Sequence, residues 1–449
     1  MTREADATAA AGARNSGPAT AEVVDICRDL IRIDTTNTGD LATCRGERVA
    51  AEYVAGKLAE VGLTAEIRES APGRTSLVAR FAGADPSRPA LLIHGHLDVV
   101  PADRDEWSVD PFAGEIRDGY LWGRGAIDMK DFDAMVLALV RQWRREGRVP
   151  PRDLVLAFLA DEEAGGVYGA QYLVEQHPDL FDGCTEAIGE VGGFSYTVNP
   201  DLRLYLVETA QKGISWLRLT AHGRPGHGSM VNDDNAVTAL CEAVARLGRH
   251  RFPIVMTDAV REFLGHVSEV LGIELDPDDP ETAIAKLGPI ATIIGATIRN
   301  TANPTRLDAG YKDNVIPSRA GATVDCRTVP GRYDQFVEEL REVVGPDIDV
   351  DFVHRSDAVE TTFDGPLVDA MSAALRAEDP GARAVPYMLS GGTDAKSFAR
   401  LGIRCFGFAP LRLPPDLNFG ALFHGIDERV PIEGLQFGVR VLDRFLSNC

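Results

Sequence analysis

The stretch LLIHGHLDVVP, Leu91 to Pro101, begins as an apolar run and then places His94, His96 and Asp98 at alternating positions. Side chains alternate between the two faces of a β-strand, so these three polar groups share one face. Ligand-type residues on one face, at the end of an apolar strand, look like half of a metal site. One ion rarely draws three ligands from a single strand. At this level either histidine can be the ligand, and Asp98 has no fixed role.

The flanking sequence sets the architecture. Apolar residues at helical spacing predict a helix in TAEVVDICRDLIRIDT, with Thr20 as its N-cap, and a second in GERVAAEYVAGKLAEVG that stops at Gly62. LTAEIRES, TSLVARFAG and PALLIHGHLDVV read as strands, GEIRDGYLWGRG as a hairpin, DMKDFDAMVLALVRQWRREG as a helix and RDLVLAFLADEEAGG as another apolar strand. Strands alternating with helices, some of them apolar on both faces, indicate an α/β layer architecture. From about Gly213 the pattern changes to ISWLRLTAHG (strand), NAVTALCEAVARLG (helix), ATIIGATI and AGATVDCRTV (strands), YDQFVEELREVVG (helix) and IDVDFVHRS (strand). That β-α-β-β-α-β order is a ferredoxin-like unit, interrupted by an acidic segment at about 250–290. α/β character returns after about Ala358. The expected organisation is a disordered leader (1–20), a first catalytic part (21–212), an inserted domain (213–357) and a second catalytic part (358–449).

Bulk composition narrows the function classes. The chain has 449 residues, 68 acidic against 46 basic, and a formal net charge of −22. Such a length favours two domains, and such a charge opposes nucleic-acid backbones and anionic membranes as partners. The seven cysteines are scattered and form no C-x-x-C pair, as in a cytoplasmic protein with reduced thiols. The leader lacks the apolar centre of a signal peptide, and no apolar run reaches the ~20 residues of a membrane span.

Further ligand-type residues stand at strand ends or in loops. They are Asp128 in GRGAIDMKD, Glu162 and Glu163 in LADEEAGG, Glu190 in AIGEVGG and His424 in LFHGIDER. Taken singly, each has an ordinary explanation: a solvated acidic run, an acid favoured by a helix dipole, a loop histidine. Together, two imidazoles and three carboxylates, one of them bridging, can hold two divalent ions. The adjacent glutamates diverge, so one can bind metal while the other serves as a base.

This combination resembles the dinuclear-zinc aminoacylase/carboxypeptidase family, which includes carboxypeptidase S, aminoacylase-1, glutamate carboxypeptidase, acetylornithine deacetylase and succinyl-diaminopimelate desuccinylase. The run HGHLDVVPADRDEWSVDPFAGEIRDGYLWGRGAIDMK is most similar to the carboxypeptidase S and aminoacylase branch, and the similarity continues through GRPGHGSM and NVIPSRAGATVDCR to HGIDERVP. The resemblance implies a zinc-exopeptidase-like catalytic domain, with a mixed sheet flanked by helices, and an inserted lid and dimerisation domain. It also implies two divalent ions, Zn²⁺ first, with Co²⁺ or Mn²⁺ as substitutes. By the same resemblance His96 and Glu190 hold the first ion, Glu163 and His424 the second, and Asp128 bridges them. Asp98 orients the His96 ring, and Glu162 is the general base. His94 becomes buried, hydrogen-bonded support. His227 of GRPGHGSM reaches the active site of the partner in a homodimer, whereas His222 is structural. Asn314, Arg327 and the turn Gly391, Gly392, Thr393 bind substrate, Arg327 as a carboxylate clamp.

The implied reaction is hydrolysis of an amide or peptide bond next to a free carboxylate, in a small N-acyl amino acid, a dipeptide or a C-terminal residue. A biosynthetic deacylase of the acetylornithine or succinyl-diaminopimelate type is the alternative, and a catalytically silent binding paralogue a remote one. A metallo-β-lactamase-like site, H-x-H-x-D-H, fails at Val99, where its last histidine is required.

Overall fold

The computed structural model describes residues 18–287 and 291–449. The first 17 residues of the expected leader lie outside the described residues. Its end differs from the expectation: Pro18, Ala19 and Thr20 already belong to the helix Pro18–Arg32, so Thr20 is inside that helix and not its cap. Proline is well suited to a first helical turn, where its missing N–H removes no bond.

The chain divides into two compact units. One contains the described residues up to Glu208 with Phe363–Val385 and Thr393–Cys449; the other contains Thr209–Thr362 and Pro386–Gly392. The cuts thus fall a few residues outside 213–357, and Gly391 and Gly392 fall in the smaller unit.

The larger unit is built on a mixed sheet in the order Ala65–Ala71, Arg74–Phe81, Leu154–Leu159, Ala90–His96, Cys184–Gly189, Arg404–Gly407, Leu202–Gln211. The central run from Leu154–Leu159 to Arg404–Gly407 is parallel, and the flanking pairs are antiparallel. Every residue of Ala90–His96 and of Leu154–Leu159 is buried. Helices on both faces produce this pattern, which explains why these strands read as unbroken apolar runs. Leu91 and Ile93 face a core shared with the helices Pro18–Arg32 and Lys130–Glu146, while Ala90 and Leu92 join a second cluster with Leu173, Phe181 and Phe398. Gly95 sits where the strand meets Lys130–Glu146. A β-carbon there would lie 2.3 Å from Asp133 Oδ1, so only glycine admits the helix so close. The hairpin Glu115–Arg117/Tyr120–Trp122 turns through Asp118 and Gly119, both at positive φ, as a two-residue type I′ turn requires.

In the smaller unit four antiparallel strands follow the order Thr301–Ala309, Arg319–Thr328, Gly213–His222, Ile348–Ser356. The helices Ala236–Arg249 and Tyr333–Val344 bury Leu240, Leu247, Phe336 and Leu340 against Leu217, Leu219 and Val324 of this sheet. The connectivity is β-α-β-β-α-β. One expected strand is wrong. ATIIGATI does not pair: Ala291–Ile294 is a helical turn, and the strand is the polar Thr301–Ala309. That strand lies at the sheet edge, mostly exposed, and Pro304 sits at a register shift. Edge strands need no apolar alternation and tolerate proline, so periodicity could not find it. The acidic 250–290 segment contains the helices Asp258–Leu271 and Pro280–Lys286. No helix among the described residues is long and apolar enough to cross a membrane.

Candidate metal and active site

Three neighbouring parallel strands, Leu154–Leu159, Ala90–His96 and Cys184–Gly189, end on the same side of the sheet. Chains leaving such strand ends carry the ligands of open α/β folds. Here they deliver Glu162 and Glu163 from a short 3₁₀ turn, His96 and Asp98, and Glu190. Asp128 arrives from the loop before Lys130–Glu146, through a cis peptide bond to Met129. His424 comes from an exposed loop, at φ 57°.

These side chains form two groups that share Asp128: His96, Asp128 and Glu190, and Asp128, Glu163 and His424. His96 Nε2 is 3.0 Å from Asp128 Oδ1 and 3.5 Å from Glu190 Oε2. His424 Nε2 is 3.2 Å from Asp128 Oδ2 and 3.1 Å from Glu163 Oε2. Asp128 therefore turns one oxygen to each imidazole. The His96 Nδ1–H donates to the backbone carbonyl of Asp98 at 3.0 Å, which orients the ring so that Nε2 faces the carboxylates.

The electrostatics are those of too many acids in too little water. Burial, reinforced by Glu190, pushes Glu162 well above the usual carboxylate range. Burial and the neighbouring Asp128 raise Glu163 to about 7. Burial also favours a neutral Asp128, but bonds from His424 and His96 win and hold it low. His96 is pulled down by burial, yet Glu190 and Asp128 outweigh that and raise it well above 6.5. Bonds to Asp128 and Glu163 raise His424 to about 10. Two imidazoles among converging carboxylates are a donor set that suits divalent cations, which would take the place of the shared protons.

Asp98 does not play the expected part with its side chain. The ring of His96 is held by the Asp98 backbone carbonyl, and the carboxylate, 3.6 Å from Nδ1, is engaged elsewhere. It accepts the N–H of Glu162 at 3.1 Å, the N–H of Glu163 at 3.2 Å and the Asn37 amide at 2.8 Å. Asp98 thus fixes the turn that aims both glutamates. Asn37 also donates to Asp161, which pairs with the buried Arg74, itself paired with Glu47. Asp161 stands at φ 70° immediately before the glutamates, so this buried chain of polar groups sets the turn from beneath.

His94 is buried, as expected, but its Nε2 has no hydrogen-bond partner among the described residues. Its ring lies 5.0 Å from that of Phe398 and fills the space where Gly189 has no side chain. Burial holds it neutral, with a pKa pushed down to about 3. It is an apolar-packed histidine and not a hydrogen-bonded support.

Asp394, which sequence reasoning missed, is buried, and its Oδ2 lacks a partner among the described residues. Burial and the charges of Glu190, Asp98 and Asp161 outweigh the pull of His96 and raise its pKa well above the usual range. It follows Thr393, whose hydroxyl accepts the Ala395 N–H at 3.1 Å in the turn before Ala395–Ala399. An acid inside the glycine-rich motif was the available signal.

In the smaller unit, His227 lies on the short strand Gly226–His227 paired with Val315–Ile316. The Gly228 N–H donates to the Asn314 carbonyl at 2.9 Å, so His227 and Asn314 stand side by side. His227 is exposed, and its Nδ1 is 2.8 Å from the Ser229 hydroxyl. His222 is also exposed and pairs with Asp349. Arg327 is not a free clamp: its Nε and Nη2 donate to Asp325 Oδ1 and Oδ2 at 2.7 and 3.0 Å.

The profile of "Peptidase family M20/M25/M40" matches residues 92–448. The N-fatty-acyl-amino acid synthase/hydrolase PM20D1 of Xenopus tropicalis is 27% identical over 452 residues, covering 95% of this chain and 86% of that protein. Aminoacylase-1 of Homo sapiens is 28% identical over 395 residues, covering 86% of each. Among solved structures, the di-peptidase Dug1p of Saccharomyces cerevisiae superposes with a TM-score of 0.72 at 16% identity, covering 97% of this chain and 98% of that one. With the profile spanning most of the chain, and the acids and imidazoles of its strand ends converging as described, this protein belongs to peptidase family M20/M25/M40.

Proposed function

We propose that the protein is a dinuclear metallohydrolase that cleaves N-acyl amino acids at the amide bond next to a free carboxylate. The sharing of Asp128 between two ligand groups carries this reading. His96, Asp128 and Glu190 would hold one ion, and Asp128, Glu163 and His424 the other, with Zn²⁺ the best match to mixed nitrogen and oxygen ligands. Such ions supply Lewis acidity to a carbonyl and to water.

The remaining work falls to the chain. Glu162, its backbone N–H held by Asp98, takes a proton from the attacking water as the oxygen–carbon bond forms. It returns that proton to the amide nitrogen as the carbon–nitrogen bond breaks, which yields a carboxylate and an amine. In a homodimer formed through the smaller unit, His227 of the partner subunit would stabilise the developing oxyanion beside the Asn314 loop. Exposure of His227 on a short paired strand supports that role. Backbone N–H groups of Gly391, Gly392 and Thr393 would receive the substrate carboxylate. Arg327 gives its Nε and Nη2 to Asp325, so its part as a carboxylate clamp would fall to the remaining Nη1 edge. Seven unpaired cysteines support a reducing, cytoplasmic setting.

PM20D1 and aminoacylase-1 are 27–28% identical to this chain, against 16% for the di-peptidase Dug1p, and that difference supports N-acyl amino acids ahead of dipeptides as substrates. The test is a screen of metal-loaded protein against N-acetyl and N-fatty-acyl amino acids and dipeptides, with metal content measured in parallel. A protein that binds none of Zn²⁺, Co²⁺ or Mn²⁺ and hydrolyses nothing would overturn the reading. His227→Ala should abolish most turnover at unchanged metal content, and full activity would remove it from the mechanism.

A further inference from the structure

We propose that Glu428 is a positioning residue that sets the affinity of one of the two cation sites, the one formed by Asp128, Glu163 and His424. The proposal rests on the dinuclear reading above. His424 is more than half exposed and sits at positive φ in a loop without regular structure, and Asp427 nearby is also at positive φ. Little packing is therefore available to hold this imidazole against Asp128.

Glu428 supplies the missing hold. It is fully buried four residues after His424, and both its oxygens are taken by the loop that carries Asp128. Oε1 accepts the N–H of Ile127, the residue directly before Asp128, at 2.8 Å. Oε2 accepts the N–H of Gly125 at 3.1 Å and Arg124 Nη1 at 2.7 Å. Its carbonyl accepts the Gly123 N–H at 2.9 Å. Arg124 then reaches back, placing Nη2 3.4 Å from the carbonyl of His424. The two loops that bring Asp128 and His424 together are thus stitched by one carboxylate and one guanidinium. His96 and Glu190 hang on strand ends, so the other site rests on this clasp only through the shared Asp128, whereas this site takes both Asp128 and His424 from the two stitched loops. With three donors on its two oxygens, Glu428 has no place as a ligand itself.

The test is equilibrium dialysis of metal-stripped protein against Zn²⁺, with Co²⁺ absorption as an independent count. Wild type should bind two ions. Glu428→Gln cannot accept from all three donors, and should bind one ion normally and the other about 10- to 100-fold more weakly, the usual cost of losing a partner that orients a ligand. His424→Ala serves as the reference for loss at the same site. Glu428→Gln leaves the buried Arg124 charge unpaired, so Arg124→Met/Glu428→Gln is measured beside it to separate misfolding from lost positioning. Selective weakening in either folded variant supports the proposal. Two ions bound as in wild type, or equal weakening of both, would overturn it. Wild type binding fewer than two ions would overturn the dinuclear reading instead.

Discussion

Replacing Asp98 by asparagine separates two accounts of what this residue does. The carboxylate is fully buried and accepts three hydrogen bonds, from Glu162 N–H, Glu163 N–H and the Asn37 amide. Asparagine keeps the shape but turns one acceptor into a donor, so one of these groups loses its partner and the others lose a charged acceptor. An orphaned buried donor costs about 1–3 kcal/mol, and the weakened bonds add to it, for a total of about 2–4 kcal/mol in a denaturant titration. Slackening the turn also misplaces both glutamates. A shift of about 1 Å in a catalytic group costs about 100-fold in turnover. The kcat of metal-loaded Asp98→Asn should therefore fall by about that factor. Its weakened cation should be the one held by Glu163 and His424, because the His96 ring rests on the Asp98 backbone carbonyl, which the substitution leaves in place. Selective loss of the cation held by His96 and Glu190, with turnover of the loaded enzyme intact, would refute this and restore the carboxylate as the ring's anchor.

Glu162→Gln should keep both cations yet lose turnover by about 10²–10⁴-fold, the usual share of a general base, and near-normal rates would remove it from that role. His96→Ala should lose one cation, whereas His94→Ala should keep both and lose about 2–4 kcal/mol of stability through the cavity left against Phe398; metal counts and denaturation of the pair decide. Lys212 is fully buried, donates to the carbonyls of Ala296 and Arg299, and is pushed by burial, with Arg327 adding to it, down to about 7. Between pH 7 and 10.5 the unfolded chain holds a proton that the native state lacks, so this residue makes stability rise with pH, by about 4–5 kcal/mol across the window. Subtracting the pH–stability curve of Lys212→Met from that of wild type should reveal that rise, and identical curves would exclude it.

Much of the site could be read from sequence because strand periodicity and strand ends are local features. The alternation in Leu91–Pro101 and the acids after LVLAFLA name their own positions. What stayed hidden was set by partners distant in the chain. Nothing near Asp98 announces that its carboxylate serves the Glu162–Glu163 turn 64 residues away and Asn37 61 residues before it. Asp394 and Glu428 sit inside motifs whose other residues drew the attention. Arg327 is a different case. In a strand, residues i and i+2 share a face, so its pairing with Asp325 was available from the sequence alone. The missed edge strand Thr301–Ala309 carried no apolar pattern to detect, while the β-branched run ATIIGATI imitated one.

The three adjacent parallel strands also act as a ruler. Neighbouring strands lie about 4.8 Å apart, and His96 and Glu190, at a strand end and one residue past one, inherit that spacing without any adjustable loop between ruler and mark. A one-residue insertion within Ala90–His96 would turn His96 to the opposite face, toward Lys130–Glu146. The length of this strand is therefore as much part of the chemistry as its histidine. Variation in loop length should be tolerated far from these ends, for example in the exposed Asp85–Arg88 turn that precedes Ala90–His96. Anyone transplanting the site into another scaffold would need to match the ladder first and the ligands second.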